Sequence, residues 1–318
     1  MDAASESNLV ESVCLPFFLR AQNADGGWGF LPGSPSRSES TCWALLGLMH
    51  GSAGTGSQAS HRGLAFLRAS QLPDGSWPAT PDEKIGCWVT SLATLTLLGF
   101  APESPEVAAA LQWICKDWPA DSAPWRRFLA RFSSQRDVAP INNAYRGWGW
   151  TPATSSWVEP TSFALLALGC APASLLPSQA IQRRQLGEAL LYDRMCPGGG
   201  WNCGNPNVYG VAGEPLAGPT VWALLALQGQ KNRQENRSSL AWLEASANDM
   251  KAATSAALAR ICLQAYDRPL PAKSLRLGPL LQASDYSLNA QSVALSCIAL
   301  GEQQLSFLPS PMTELRRA

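Results

Sequence analysis

The apolar residues of this chain fall into two alternating kinds of run. One kind is apolar nearly all round: 41–49 reads TCWALLGLM, 86–100 GCWVTSLATLTLLGF, 161–170 TSFALLALGC and 220–229 TVWALLALQG. Ala and Leu are good helix formers, and a helix without a polar face is one covered on most sides. These runs are therefore predicted as buried, inner helices. The other kind is mixed, at 8–21, 58–71, about 105–118 and 178–195, and leaves one wet face, as in QAIQRRQLGEALLYDR. These are predicted as outer helices. The alternation continues with 238–249 and 252–267, then 272–284 and 289–302. Six outer–inner helical hairpins closing a ring, in one domain over 1–318, is the all-α architecture that follows. The interval 119–147, with DWPADSAPWRR, breaks the period and is expected to be an insertion or lid-like excursion.

Between outer and inner helices stands a repeated phrase. AQNADGGWGFLPG occupies 21–33 and SQLPDGSWPATPD occupies 70–82. Trp28, Trp77, Trp148 and Trp201 each follow a Gly or a Ser. Self-similarity at such a period marks a repeat architecture, in which one unit cannot bury its own face. The phrase is structural in this reading. Gln71 ends an outer helix with its amide free to bond a neighbouring repeat, Gly75 permits a tight turn, and Trp77 packs on the adjoining hairpin.

Composition narrows the function. Lys+Arg and Asp+Glu both number 24, so the chain lacks the basic surface that nucleic acid requires. The nine cysteines are scattered with no C-x-x-C pair, which fits reduced thiols and a cytoplasmic setting. The start of the chain has no basic segment before an apolar run, and no stretch is apolar over about 18 residues. A spanning helix is not expected; peripheral membrane contact stays open. His50 and His61 are the only histidines, which restricts metal chemistry, while 13 tryptophans offer walls and indole donors.

Residues 62–77, RGLAFLRASQLPDGSW, resemble the repeat of squalene–hopene and oxidosqualene cyclases at Arg62, Gly63, Phe66, Leu67, Gln71, Gly75 and Trp77. The first copy carries Gln22, Gly26 and Trp28; the later copies drift, with Asn142 and Met195 taken as standing at the Gln position. The stretch 198–227 is similar to the same repeat. The resemblance implies an α/α toroid, a fold shared with class II diterpene cyclases and protein prenyltransferase β subunits. Cyclases of the family typically contain two such barrels, and this chain has length for one.

The resemblance also says where chemistry should lie. Family cyclases protonate an alkene with the third residue of D-x-D-D-T-A, and no D-x-D-D occurs in this chain. Aligning Thr161 within TSSWVEPTSFALLAL (154–168) puts Glu159 at the acid's position, with Trp157 in the same phrase. A buried carboxyl stays protonated near neutral pH. Glu-Pro-Thr is also simply a good helix start, as SEST at 38–41 and GEPLAGPT at 213–220 illustrate. Trp43, Trp88, Phe163 and Trp222 are read as equivalent first-turn residues, forming either a collar around a cation at one mouth or ordinary repeat packing. Cys42 and Cys87, beside two of these rings, are read as core residues.

Zinc is opposed by the missing ligand pattern, and magnesium-dependent ionisation by the absence of D-D-x-x-D; NDMK at 248–251 fails at the Ser position of the second such motif. Arg126, Arg127, Arg183 and Arg184 are expected to be solvated. The expectation is a metal-independent and cofactor-free isoprenoid cyclase. Glu159 is its acid, and Trp43, Trp88, Trp157, Thr161, Phe163 and Trp222 contact an apolar isoprenoid. A non-catalytic toroid binding an apolar ligand or a protein partner is the alternative. A prenyltransferase β-like subunit, needing zinc and an α partner, is the third reading.

Overall fold

A computed structural model of the chain describes residues 8–51, 56–120, 142, 144–270, 275–283 and 287–301. Among these, twelve α-helices alternate between two rings. The outer ring holds α1 (Leu15–Ala21, entered through a π-helical turn Val10–Cys14), α3 (Gln58–Ser70), α5 (Pro105–Lys116), α7 (Ala180–Asp193), α9 (Gln234–Ser246) and α11 (Leu277–Leu281). The inner ring holds α2 (Ser38–His50), α4 (Val89–Phe100), α6 (Val158–Cys170), α8 (Ala217–Ala226), α10 (Ala253–Ala265) and α12 (Ala290–Leu300). Each inner helix packs on the inner helices before and after it, and α12 packs back on α2, so the six close into an α/α toroid. The strands among the described residues are one short antiparallel pair, β1 (Asn207–Val208) and β2 (Val211–Ala212).

The inner helices are apolar all round because they have neighbours all round. In α2 every residue but Glu39 is buried. Gly47 sets the closing seam: a Cβ there would meet the Phe18 ring at 2.6 Å and the Ala294 Cα at 3.1 Å, so glycine lets α2 approach α12. Two outer helices, α3 and α5, start on hydroxyl caps, Ser57 accepting from the Ser60 N–H and Ser104 from the Val107 N–H, with Pro105 filling the first helical position of α5.

The Gln–Gly–Trp phrase ties successive hairpins together. The Gln71 amide donates to its own loop at Gly75 O (2.9 Å) and to the next outer helix at Glu106 O (3.0 Å). Gln22 makes the same pair of bonds, to Gly26 O and Ala59 O. Gly26 and Gly75 lie at φ +89° and +90°, and their α-carbons press against the Arg62 and Ala109 carbonyls of the next outer helix. Only glycine tolerates that backbone and that approach together. The indole is a wedge: the Trp28 N–H donates to Phe18 O on α1, while its ring fills the gap left at Gly63 on α3. Residues two beyond these tryptophans then latch adjacent loops. The carbonyls of Phe30, Trp150 and Cys203 accept from the N–H groups of Ala290, Trp88 and Val158, each at the start of a neighbouring inner helix.

The third repeat departs from the expectation. Indole bonds span ten residues in the copies at Trp28, Trp77 and Trp201 but 34 at Trp148, whose N–H donates to Ile114 O. The expected excursion at 119–147 falls mostly on 121–141 and 143, outside the described residues. Gln22 and Gln71 stand four residues after their accepting carbonyls, and the residue four beyond Ile114 is Trp118. Trp118, not Asn142, thus occupies the Gln position. An indole cannot make the amide's two bonds, and Arg183 reaches back from α7 to replace it. Its Nη2 donates to Asp117 O (2.9 Å) and Gly147 O (3.2 Å), and its guanidinium lies between the Trp118 ring (4.2 Å) and the Trp148 ring (3.9 Å). Arg183 is therefore buried rather than solvated. Burial lowers its pKa to about 10. Arg184 is half-exposed, and Arg126 and Arg127 lie outside the described residues.

Candidate active site

A threonine fixes the register of four inner helices against the Gly–Trp loops. The Thr41 hydroxyl accepts from the Trp28 backbone N–H (3.0 Å), Thr90 from Trp77 (2.9 Å), Thr161 from Trp148 (3.0 Å) and Thr220 from Trp201 (2.9 Å). Thr161 also donates to Trp148 O at 3.4 Å, so both of its bonding directions are spent on the repeat. This places Thr161 in the scaffold rather than on a ligand wall. Its signal was present in the sequence as a constant 13-residue Trp-to-Thr spacing in three copies; the fourth is 19, and its longer loop carries β1 and β2.

Counted from this threonine, the aromatic set divides. Two residues after it stand Trp43, Leu92, Phe163 and Trp222; two before it stand Glu39, Trp88, Glu159 and Gly218. Trp88 is therefore not the equivalent of the other three rings. It sits one helical turn nearer the N-terminal mouth of the toroid.

Trp43, Phe163 and Trp222 meet each other. Their ring centroids are 6.2 Å apart for Trp43–Phe163, 5.9 Å for Trp43–Trp222 and 4.5 Å for Phe163–Trp222. Since α2 and α8 stand three steps apart in a ring of six, contact between their side chains crosses the bore. The rings meet across the bore as a floor, where the sequence leaves open either a collar or ordinary repeat packing. Trp88 lies above this floor, 5.2 Å from Phe163 and edge-on to Trp150 at 5.3 Å. Trp150 was not anticipated, although GWGW at 147–150 displays it. Trp157 caps α6 and is 36% exposed at the rim.

Two carboxyls share this level. Glu159 and Glu39 occupy the same register on α6 and α2, four residues before Phe163 and Trp43, which puts each on the face of its helix that carries the ring. Both are half-buried. Burial alone raises the Glu159 carboxyl above the ordinary range. Burial also raises Glu39, against an opposing pull from the Trp43 N–H and the Arg37 charge. Glu159 Oε1 lies 3.4 Å from where a side chain would begin at Gly218 on α8, so the missing side chain leaves the carboxyl its room. The Trp43 indole N–H is buried and makes no hydrogen bond of proper geometry, though it lies near enough to Glu39 to draw its pKa down.

Cys42 and Cys87 are buried, and burial pushes the Cys87 thiol up to about 11 and the Cys42 thiol higher. Such thiols are core residues, not nucleophiles. Among the described residues no group of three or more His, Cys, Asp or Glu is arranged to hold a metal, and no helix is long and apolar enough to cross a membrane.

With this geometry in hand, residues 3–86 match the squalene-hopene cyclase C-terminal domain. Human lanosterol synthase is 39% identical over 82 residues, covering 22% of this chain and 10% of that protein. Drimenyl diphosphate synthase of Streptomyces showdoensis is 39% identical over 69 residues, covering 22% and 13%. These matches span only about a tenth of the relatives' length. Among solved structures, the type II terpene cyclase MstE from Scytonema, in complex with geranylgeranyl dihydroxybenzoate, superimposes with a TM-score of 0.53 at 14% identity, over 96% of this chain and 82% of that one. An endo-β-1,4-glucanase of Acetobacter xylinum superimposes with a TM-score of 0.55 at 12% identity, over 92% and 98%. Likeness at this identity speaks for fold alone, which terpene cyclases and glycosidases share. Together with the Gln–Gly–Trp repeat, these matches make the first quarter of the chain similar to the squalene–hopene cyclase C-terminal domain, on an α/α toroid of the kind terpene cyclases share.

Proposed function

We propose that the protein is a class II-type isoprenoid cyclase, in which Glu159 protonates the terminal double bond of an apolar polyprenyl substrate without a metal. The observation that carries this reading is the placement of Glu159: a desolvated carboxyl at the family's acid position, on the same helix face as Phe163 and one turn above it. A carboxyl held protonated by burial can act as a general acid near neutral pH, a contribution worth roughly 10²–10⁴ in rate. The cation that follows would lie over the faces of Phe163, Trp222 and Trp43, which attract positive charge. Trp88, Trp150 and Trp157 would give the rim its shape. The geranylgeranyl group held by the Scytonema cyclase makes a C20 polyprenyl chain the first substrate class to try.

The test is to incubate the protein with squalene, oxidosqualene and C15–C20 prenyl diphosphates and to identify products by mass spectrometry. Wild type should cyclise at least one, and Glu159→Gln should lose at least about a hundredfold in turnover. Turnover unaltered by the substitution would mean that the acid is elsewhere. Binding without turnover in the wild type would leave a ligand-binding toroid.

A further inference from the structure

We propose that the β1–β2 hairpin seats the mouth of the toroid on a neutral lipid surface. The hairpin is an addition to the fourth repeat. The Trp-to-Thr spacing is 13 residues in the other three clamped copies and 19 in this one, yet the Thr220 hydroxyl still accepts from the Trp201 N–H at 2.9 Å. The clamp is as short as elsewhere, so the extra residues are not needed to close the repeat. What they add is a projecting apolar tip. Asn207–Val208 and Val211–Ala212 pair antiparallel around Tyr209 and Gly210, whose φ values of +52° and +78° suit a two-residue hairpin turn. Every residue from Val208 to Ala212 is exposed, Tyr209 at 75% and Val211 at 69%. A two-stranded hairpin by itself is marginal in water, and bare apolar side chains on both strands do nothing to favour it there.

The base of the hairpin holds this tip out from the body. The Asn202 side chain accepts from the Gly204 and Asn205 N–H groups, both at 3.0 Å, and donates to Asn205 O, while the Gly213 N–H donates to Pro206 O. Cys203 O accepts from the Val158 N–H at the start of α6, which sets the stem beside Trp157. The tip therefore stands at the N-terminal mouth, where an apolar ligand would enter under the function proposed above. Trp157, Leu216 and Ile85, on three loops of the same end, are exposed as well. Away from the mouth, exposed Leu19 and Ile181 stand singly on α1 and α7, which is ordinary for a protein surface. Shape and charge choose the occupant. A convex apolar tip that ends in a tyrosine suits the lipid interface, where a ring with one polar atom finds both of its environments. From 195 to 230 the only charged residue is Glu214, so the tip offers no cation to an anionic headgroup. Its attraction to a membrane is burial of apolar side chains in a zwitterionic surface, without the polybasic contact that anionic lipids draw.

The experiment floats the full chain through a density gradient with phosphatidylcholine vesicles, with and without added phosphatidylserine. Wild type should rise with phosphatidylcholine, gain nothing from phosphatidylserine, and keep its bound fraction in high salt, which weakens only charge attraction. Joint replacement Tyr209→Ser and Val211→Ser should weaken partitioning at least about tenfold, because two apolar side chains leave the lipid. Ile181→Ser on α7 should leave it unchanged. Thermal melting checks that the double variant is folded, and Val208→Asp takes its place if it is not. Wild type left at the bottom of the gradient would overturn the proposal. So would binding that appears only with phosphatidylserine and falls with salt, or binding that the tip variants retain in full. A wild-type dimer in analytical ultracentrifugation that the tip variants dissolve, without flotation, would overturn it in favour of a second copy of the chain. Flotation needs no turnover, so a protein that floats and cyclises nothing contradicts the function proposed above and leaves this inference standing.

Discussion

The second and third repeats use the same scaffold for different ends. In the second, Gln71 bridges loop and next outer helix, Trp77 wedges between them, and the register position two before Thr90 is filled by Trp88. In the third, the bridge comes from the opposite side, through Arg183 stacked between Trp118 and Trp148, and the same register position is Glu159. The threonine clamp and the indole bond are common to both. The scaffold therefore depends on an indole wedge and a bridge of any suitable chemistry. The position two before the threonine is left free to vary, and that is where the candidate chemistry sits.

The largest effects on stability should come from the wedges. Trp77→Ala and Trp148→Ala each remove a buried indole and should cost about 3–5 kcal/mol in chemical denaturation. Trp148→Ala should lie at the upper end, because it also strips Arg183 of a stacking face. A smaller cost at Trp148 would mean that the third repeat leans on something other than this sandwich. Next come the bridges. Arg183→Ala removes two charge-assisted hydrogen bonds and two ring contacts, an expected loss of about 3 kcal/mol, against about 1–2 kcal/mol for Gln71→Ala. Equal costs would reduce Arg183 to a plain stand-in for the amide.

The ring of hairpins was legible in the sequence because its signals are local. Runs of Ala and Leu without a polar face, mixed runs between them, and a recurring Gly–Trp phrase each reflect a nearby packing need. The bridge of the third repeat was not legible. Trp118 and Arg183 are 65 positions apart in sequence, and nothing at either one announces that a guanidinium has taken over an amide's bonds. The site was legible in part. Aligning Thr161 singles out Glu159 as the proposed acid, but comparing the apolar runs alone placed Trp88 one turn from the register of Trp43, Phe163 and Trp222. The threonine-to-tryptophan spacing would have corrected that and would have paired Glu39 with Glu159. That the aromatic rings meet across the bore depends on the toroid's diameter, which no stretch of sequence states.

The smallest expected effect is on pH dependence. Burial raises the folded-state pKa of Glu159, so the folded chain holds an extra proton between the ordinary glutamate value and the raised one. Its contribution to stability is full below the ordinary value and is lost as pH rises through the raised one. Glu159→Gln should remove that loss, so the melting temperature of the variant relative to wild type should rise between pH 4 and pH 7. The matching substitution at Trp88 carries no such titration and serves as the control within the comparison. A difference independent of pH would mean that the carboxyl is not desolvated.

The proposed protonation of an alkene by Glu159 would leave a label. Turnover of a polyprenyl substrate in heavy water, with the product analysed by mass spectrometry and NMR, should place one deuterium on the terminal carbon that received the proton. A cyclised product without deuterium at that carbon would contradict the account, since the reaction would then begin by some step other than proton transfer.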